Sequence, residues 1–487
     1  MSHVIIVGGG IAGLATAYEL HKRHVPFVLL ESAARAGGVI LSEEVDGYTI
    51  DAGPDSLLVQ KPEAVTLCEE LGLGGRLVPT QPPRLAFILR GGVLHPLPAS
   101  SVLGIPTRVG PFVRTRLFSW TGKMRMGAEM FVPPRLNDAD ESIGAFMTRR
   151  FGTEATEYLA EPLLAGIHAG DVDRLSIRAL FPRLAETERA HGSLLLAFRK
   201  QRSSAERSRG ATTGSAGTLA REPESSAFRS LPGGLSEMTR ALVAALPERS
   251  IRLQTHVERV LAGQHQPSDP PAYRVDISSG ESLTASSVVL AAPAFSVARS
   301  VRDLDAHLAR LCNEIRYVST ATIALAFPRD AVAHPLNGSG FVVPKVENAG
   351  LLAASWLSSK WPHRAPAGRV LLRAFAGGAR DPSALQLSDD ELVKRAMDAL
   401  VPLLGLAGLP LLTRVYRWER ANAQHEVGHL ARMAAIDRAL AGHPGLFVTG
   451  SGFRGVGIPD CVADGRATAR QAAEWLVRSE TDAASRI

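Results

Sequence analysis

Residues 4–13 read "VIIVGGGIAG". Gly8, Gly10 and Gly13 fit the spacing G-x-G-x-x-G, and Glu31 follows 18 residues after Gly13. Such a set binds phosphate without a charged side chain. Glycine at 8 permits a tight turn, glycine at 10 lets backbone approach a pyrophosphate, and glycine at 13 lets a helix pack closely on a strand. Gly9, Ile11 and Ala12 complete the turn, whose free N–H groups would open a helix toward the phosphates. A carboxylate at 31, beside Ser32, accepts hydrogen bonds from ribose hydroxyls and disfavours a 2′-phosphate. These residues predict a bound dinucleotide.

The elements that must position them follow from pattern. "HVIIV" is a β-branched run that predicts a buried strand. "IAGLATAYELHKRH" places Leu14, Ala17 and Tyr18 on one helical face, and "VPFVLLE" predicts a second strand. Further glycines continue the site. "ESAARAGGVILSEEVDGYTIDAGPDS" sets Gly37 and Gly38 after Arg35, then a third glycine turn at Gly53. A simple NAD domain would proceed to another helix and strand, whereas a long cofactor held across several loops needs repeated close approaches. The pattern therefore favours FAD. Near the C-terminus, "PGLFVTG" predicts a strand, and "SGFRGVGIPDCVADGRATARQAAEWLV" a glycine-rich loop and a helix. In that helix Ala469, Ala472, Ala473 and Leu476 share a face. The FAD-binding domain is thus predicted to be discontinuous, with "SIRLQTHVERV" and "SSVVLAAPAF" as its middle strands.

The 487 residues suffice for two or three domains. The net charge of +6 and pI of about 9.4 suit an anionic partner. Aromatic content is only 6%, and no basic run is interleaved with aromatics in the manner of a nucleic-acid module, so nucleic acid is not expected. Cys68, Cys312 and Cys461 are odd in number and far apart, which argues against disulfides and suits a reducing cytoplasm. Clustered Cys/His spacing is absent, and no metal is predicted. No secretory signal is read at the N-terminus. No uninterrupted apolar run reaches the roughly 18 residues of a spanning helix.

Several longer motifs carry a family resemblance nearly end to end. They are "VGGGIAGLATAYEL", "GPDSLL", "LHPLP", "EPLLAGIHAGDVDRLS", "LPGGLSEM", "WPHRAPAGRVLLRAF", "VGHLARM" and "GSGFRGVGIPDCV". The sequence resembles the oxygen-dependent protoporphyrinogen/coproporphyrinogen oxidases of the flavin amine oxidase superfamily. "GPDS", "GIPTRVGPFV", "SSKWPHRAPAG" and "GIPDC", with Asp55 and Pro459, resemble the coproporphyrinogen III branch.

The resemblance implies an FAD-dependent, six-electron oxidation of coproporphyrinogen III by O₂ in haem biosynthesis, with three H₂O₂ formed. The alternative is oxidation of protoporphyrinogen IX; lower stands another flavin amine oxidase or a desaturase, which would lack "EPLLAGIHAGD". Carried over, the contacts of a noncovalent FAD are Gly8, Gly9, Gly10, Ile11, Ala12, Gly13, Glu31, Ser32, Arg35 near the phosphates, Gly38, Gly53, Pro54, Asp55, Ser56, the backbone of Val257, Trp418, Val456, Gly457 and Ile458. No catalytic side chain is assigned, because the flavin carries the chemistry. Ala423-Gln424-His425 stands where the family has Pro-Gln-Tyr, and His425 is given no catalytic role. Cys461 is expected to be a buried thiol without a flavin link.

The predicted fold is α/β: a Rossmann-like FAD-binding domain in three parts (1–55, 229–297, 440–487), an α+β substrate domain in two (56–95, 298–439), and a mostly helical insertion (96–200). Residues 201–228, rich in Ser, Thr, Gly and Arg, predict a flexible loop. Arg369 and Arg373 alternate onto one strand face and, with Arg84, are candidates to hold substrate propionates. Residues 109–135 set Arg114, Arg116, Lys123, Arg125 and Arg135 against the single acid Glu129, among Phe112, Phe118, Trp120, Met124, Met126, Met130 and Phe131. That mixture predicts an interfacial segment for peripheral contact with the inner membrane or transient contact with the next haem-pathway enzyme. Monomer and homodimer both stay open.

Overall fold

The computed structural model describes residues 3–98, 101–102, 105–106, 109–200, 226–263 and 272–484. The loop expected at 201–228 lies almost wholly outside the described residues.

The β-branched run at the N-terminus forms the strand Val4–Val7, buried along its whole length. It pairs in parallel with Phe27–Leu30 on one side and Ser287–Leu290 on the other. Ile251–Arg252 and Leu446–Val448 extend the sheet at its two edges, also in parallel. Burial on both faces explains why these strands are apolar runs without alternation. The helix Ile11–Lys22 covers one face, and the C-terminal helix Ile458–Ala484 packs against it. There Val4, Ile6, Leu14, Leu20, Val289, Val462, Ala469 and Ala472 share one core.

Only Ile251–Arg252 of the expected middle strand at 250–260 joins this sheet. The chain then turns into a separate antiparallel sheet of Val257–Ala262, Tyr273–Ile277 and Ser282–Ala285. The core on the second face also holds Val297, Leu308 and Cys312, as well as Met433 and Ile436. Residues 294–313 and 429–441 therefore pack with the parallel sheet, although the sequence assigned most of them to the substrate domain. Residues 57–68 likewise pack with Leu231, Leu235 and Met238.

A second sheet has the order Leu412–Ala423, Tyr317–Pro328, Arg369–Gly377, Ala353–Trp356, Gly340–Val342, Phe87–Arg90 and Val93–Pro96. Its pairs are antiparallel except Gly340–Val342 with Phe87–Arg90. The helix Asp389–Leu404 lies in its core, opened by a capping box in which Ser388 and Glu391 satisfy each other's backbone N–H groups. A third core gathers Leu117, Met126, Phe146, Met147, Phe151 and Leu159 from the helical stretch between the two strand-rich parts.

A candidate flavin site and the ionic junction beside it

Parallel strands end at one edge, so Gly8, Glu31, Ala291 and Thr449 arrive together, where open α/β sheets place their ligands. Gly8 has φ +109°, and a Cβ there would lie 2.8 Å from the Ala291 carbonyl oxygen. A Cβ on Gly13 would stand 1.9 Å from the Gly8 oxygen, so this glycine lets helix and strand close up. Gly10 is the opposite case: a Cβ there meets nothing within 4 Å. It is the N-cap of Ile11–Lys22, and no side chain caps that helix. Open space before an uncapped helix N-terminus fits a diphosphate.

Glu31 is fixed for its expected role. Gly9 N–H donates to its Oε2 at 2.5 Å and Ala33 N–H to its Oε1 at 2.7 Å; the Ser32 hydroxyl lies 3.2 Å from Oε1. Each carboxylate oxygen retains acceptor capacity for a ribose hydroxyl. Thr255 N–H donates to the Glu31 carbonyl at 2.8 Å, which brings Val257 to the same corner. Arg35 donates to the carbonyls of Ile40 at 3.1 Å and Gly38 at 2.5 Å, shaping the turn that lies over Gly10. A Cβ on Gly38 would be 3.2 Å from the Gly10 Cα. Gly53 is closed in by the Val39 carbonyl, and the Trp418 ring lies beside it. The Trp418 indole N–H donates to the Ala52 carbonyl at 3.0 Å.

The C-terminal turn closes the circle. Asp464 accepts from Thr449 Oγ1 at 2.6 Å and Gly450 N–H at 3.3 Å. A Cβ on Gly450 would lie 3.7 Å from the Ala12 Cβ. Val456, Gly457 and Ile458 follow, none of them fully buried, at the start of the last helix. Residues 8–13, 31–38, 53–56, 257, 418 and 456–458 thus stand around one strand edge.

Residues 11–473 match the flavin containing amine oxidoreductases. The chain belongs to that family, and its cofactor is a flavin. It is 37% identical over 481 residues to a coproporphyrinogen III oxidase of Bacillus subtilis, covering 97% of this chain and 98% of that protein. It is 28% identical to a chloroplastic protoporphyrinogen oxidase of Nicotiana tabacum, covering 97% of this chain and 86% of that one. A solved structure from Exiguobacterium sp. 255-15, provisionally named a protoporphyrinogen oxidase, superposes with a TM-score of 0.81 at 31% identity, over 98% of this chain and 99% of that one. The chain is an oxidoreductase on the porphyrinogen-oxidase branch of the flavin family.

Next to the flavin turn lies a buried ionic junction. Asp55 receives Lys360 Nζ at 2.8 Å, Arg373 Nη2 at 3.2 Å and the Trp361 indole N–H at 3.2 Å. Burial alone would raise its pKa, but the Lys360 and Arg373 charges prevail and hold the carboxyl well below the usual range. Arg373 also donates to the Gly53 carbonyl at 2.8 Å and to that of Asp51. Asp51 pairs with Arg364 at 2.8 Å, and Arg364 reaches the Pro232 carbonyl and the Ser230 hydroxyl. Every member ties the 51–56 turn to the second sheet or to residues 230–235.

The three arginines expected to hold propionates are placed differently. Arg373 is 3% exposed, its two terminal nitrogens are engaged by Asp55 and two backbone carbonyls, and its Nε is buried without a partner, so in this structure it ties down the 51–56 turn and its donors lie away from solvent. The Asp55 side chain likewise faces cations of the protein. Arg369 is exposed at the far end of the same strand, opposite Pro328, and Arg84 is exposed with its Nε on the Thr80 carbonyl. The residues missed by sequence reasoning are Lys360, Trp361 and Arg364, although all three lie inside "SSKWPHRAPAG". Four polar or aromatic residues in five (Lys360, Trp361, His363 and Arg364) were the available signal.

Cys461 is buried and its thiol is pushed up to about 12 by burial, then by Asp460 and Asp464, so it stays protonated. In "EPLLAGIHAGD", Glu161 accepts the Lys345 N–H at 2.9 Å and pairs with Arg380, anchoring a π-helix over Thr156–Ala165.

The basic segment 109–135 is also redistributed. Lys123 is buried, with Nζ on the Val113 carbonyl, and Arg125 caps the carbonyls of Thr148, Arg149 and Arg150 at a helix end. Arg135 pairs with Glu141 at 3.1 Å. Phe118 and Met126 are core, whereas Trp120 is 67%, Met124 75% and Phe131 84% exposed. Glu129 is fully buried and holds the turn beneath them through Arg150, Ser193 and the N–H groups of Leu194 and Leu195. Of the five cations, Arg114 and Arg116 remain exposed. No helix among the described residues is long and apolar enough to cross a membrane.

Proposed function

We propose that the protein oxidises coproporphyrinogen III to coproporphyrin III, using noncovalent FAD and O₂. Six electrons and six protons leave the macrocycle, and three O₂ take them up as three H₂O₂. The observation that carries this reading is the near-complete alignment, at 37% identity, with a protein named coproporphyrinogen III oxidase. The uncapped glycine turn supports FAD, because its open space suits a diphosphate and Glu31 suits a ribose. Bound FAD would accept the substrate's hydrogens and return them to oxygen. The protein's own residues would bind and orient it: backbone N–H groups at Ile11 and Ala12 would face the phosphates, and the Asp55–Arg373 junction stiffens the 53–56 turn. Cys461, as a protonated thiol, is a poor partner for a covalent link.

Four propionates on coproporphyrinogen against two on protoporphyrinogen favour the former in a basic protein, with Arg84 and Arg369 as the remaining candidates to hold them. Protoporphyrinogen IX is the second reading, favoured by the tobacco relative. The test is anaerobic mixing of yellow protein with coproporphyrinogen III. Bleaching of the flavin band, with recovery and peroxide on admitting air, is expected. A flavin that stays oxidised would remove the assignment.

The segment 109–135 also docks on an anionic lipid surface, led by Trp120, Met124 and Phe131 with Arg114 and Arg116 at their side. With only two of its five cations exposed, screening should weaken this binding moderately and leave an apolar component at high salt. Sedimentation with anionic vesicles at low and high salt checks it. Binding unchanged in a Trp120→Ser, Met124→Ser, Phe131→Ser variant would show that this face does not dock.

A further inference from the structure

Two histidines that the proposed chemistry does not use are built into the wall behind the C-terminal turn. The rings of His425 and His429 stack with centroids 3.8 Å apart and planes within 10°. They are 2% and 1% exposed. His425 Nε2 lies 3.0 Å from the Ser451 carbonyl oxygen, and His429 Nε2 lies 2.8 Å from that of Phe453. A carbonyl only accepts, so both rings carry their proton on Nε2 and donate it. The two acceptors belong to the turn that runs on into Val456, Gly457 and Ile458.

The stack is itself fixed from behind. Ser176 N–H donates to the His425 carbonyl at 2.9 Å. Gln424 Nε2 donates to the His168 carbonyl at 3.0 Å, and a Cβ on Gly170 would meet Gln424 Oε1 at 2.5 Å. "GIHAGD", "AQHEVGH" and "GSGFRGVG" therefore meet here.

We infer that His425 and His429 are positioning residues that clasp the 450–458 turn onto the flavin, and that the clasp opens in acid. The inference rests on the flavin reading given above. A second proton on either ring would place an imidazolium against its stacked neighbour in a buried site. The groups that face the pair hardly relieve this. His429 and His168 face His425; Arg432 and Asp140 face His429. His168 in turn faces Lys61 and Asp460. Asp140 and Asp460 are the acids in this set. Burial first, then the neighbouring ring, pulls His425 down to about 3, and burial with the Arg432 charge lowers His429. An open turn would let both histidines titrate near their ordinary value of about 6.5. FAD affinity should then fall as pH drops below that value, by up to about tenfold per pH unit for each histidine released.

The experiment measures the FAD dissociation constant of the full chain from pH 7.5 to 5. Wild type should lose at least tenfold between pH 6.5 and 5. His425→Gln keeps a donor N–H and does not titrate; it should bind within about threefold of wild type at pH 7.5 and show a shallower slope. His425→Phe keeps a ring and loses the donor; it should bind at least tenfold more weakly at pH 7.5, with an altered flavin band. Near-UV circular dichroism checks that each variant is folded, and His425→Gln decides the matter if His425→Phe is not. A Gln variant as steep as wild type, or a folded Phe variant that binds as tightly, overturns the inference. Absence of FAD binding by wild type at pH 7.5 would instead overturn the flavin reading.

Discussion

The glycine turn at residues 8–13 and the ionic junction around Asp55 flank the same site and are built in opposite ways. The turn offers backbone donors and empty space: Gly10 faces nothing within 4 Å. The junction offers charges, and the protein has already matched them, carboxylate against Lys360, Arg373 and Arg364. The cations near this site are thus engaged by the protein's own carboxylates, and Glu31 is the charged side chain that keeps acceptor capacity. Unengaged backbone N–H groups identify the binding surface, and engaged ions identify what holds it still.

The contrast can be broken most severely at Gly13. A side chain there would stand 1.9 Å from the Gly8 oxygen, so Gly13→Val should yield no folded protein, read as loss of a cooperative melting transition. Gly10→Val, three residues earlier, should fold and melt within a few degrees of flavin-free wild type. Its flavin content after purification should fall to a small fraction, because the new side chain fills the open space. Equal damage at both positions would mean that Gly10 is also a packing glycine.

The junction should respond in stability first. Asp55→Ala leaves buried Arg373 and half-buried Lys360 without their carboxylate, and about 3 kcal/mol should be lost in denaturant unfolding near neutral pH. Because the folded pKa of Asp55 is depressed, its contribution is fully present above about pH 3.8 and disappears as pH falls below that value. The wild-type-minus-variant difference should therefore shrink only in strong acid. A difference that collapses by pH 6 would contradict the paired carboxylate.

Buried His425 and half-buried His168 act in a milder range. His425 and His168 are held down to about 3 and about 4, in both cases chiefly by burial, while the unfolded chain takes up protons near pH 6.5. The unfolded state then binds more protons, so stability falls as pH drops below 6.5. Each histidine should contribute about 1.4 kcal/mol per pH unit until its folded pKa is reached. Unfolding free energies at pH 7, 6 and 5 measure this, and a flat profile would refute it. The smallest effect is expected at Trp120 and Met124. Both are largely exposed, so changing them to Ser should alter stability by no more than about 0.5 kcal/mol.

The same contrast explains what was legible in the sequence. The glycine turn is contiguous, and each glycine's task follows from local backbone geometry, so 8–13 and Glu31 could be read directly. Asp55 and Lys360 are 305 residues apart, and nothing local announces their meeting. Alternation correctly put Arg369 and Arg373 on one strand face. It could not say that Asp55 lies opposite one of them and solvent opposite the other. Composition marked 109–135 as basic, yet Lys123 and Arg125 are engaged by carbonyls, which no residue count records. His425 stood out as a departure, but its stacking partner lies across a turn at Gly428, whose φ of +89° folds the chain back.

The central claim is the identity of the substrate, and kcat/KM for coproporphyrinogen III and protoporphyrinogen IX tests it most directly. Both should be measured on flavin-loaded protein under one set of conditions, by porphyrin fluorescence with peroxide counted alongside. A clear preference for coproporphyrinogen III, with three H₂O₂ per porphyrin formed, is predicted. A preference for protoporphyrinogen IX, or oxidation of neither while flavin remains bound, would contradict the account.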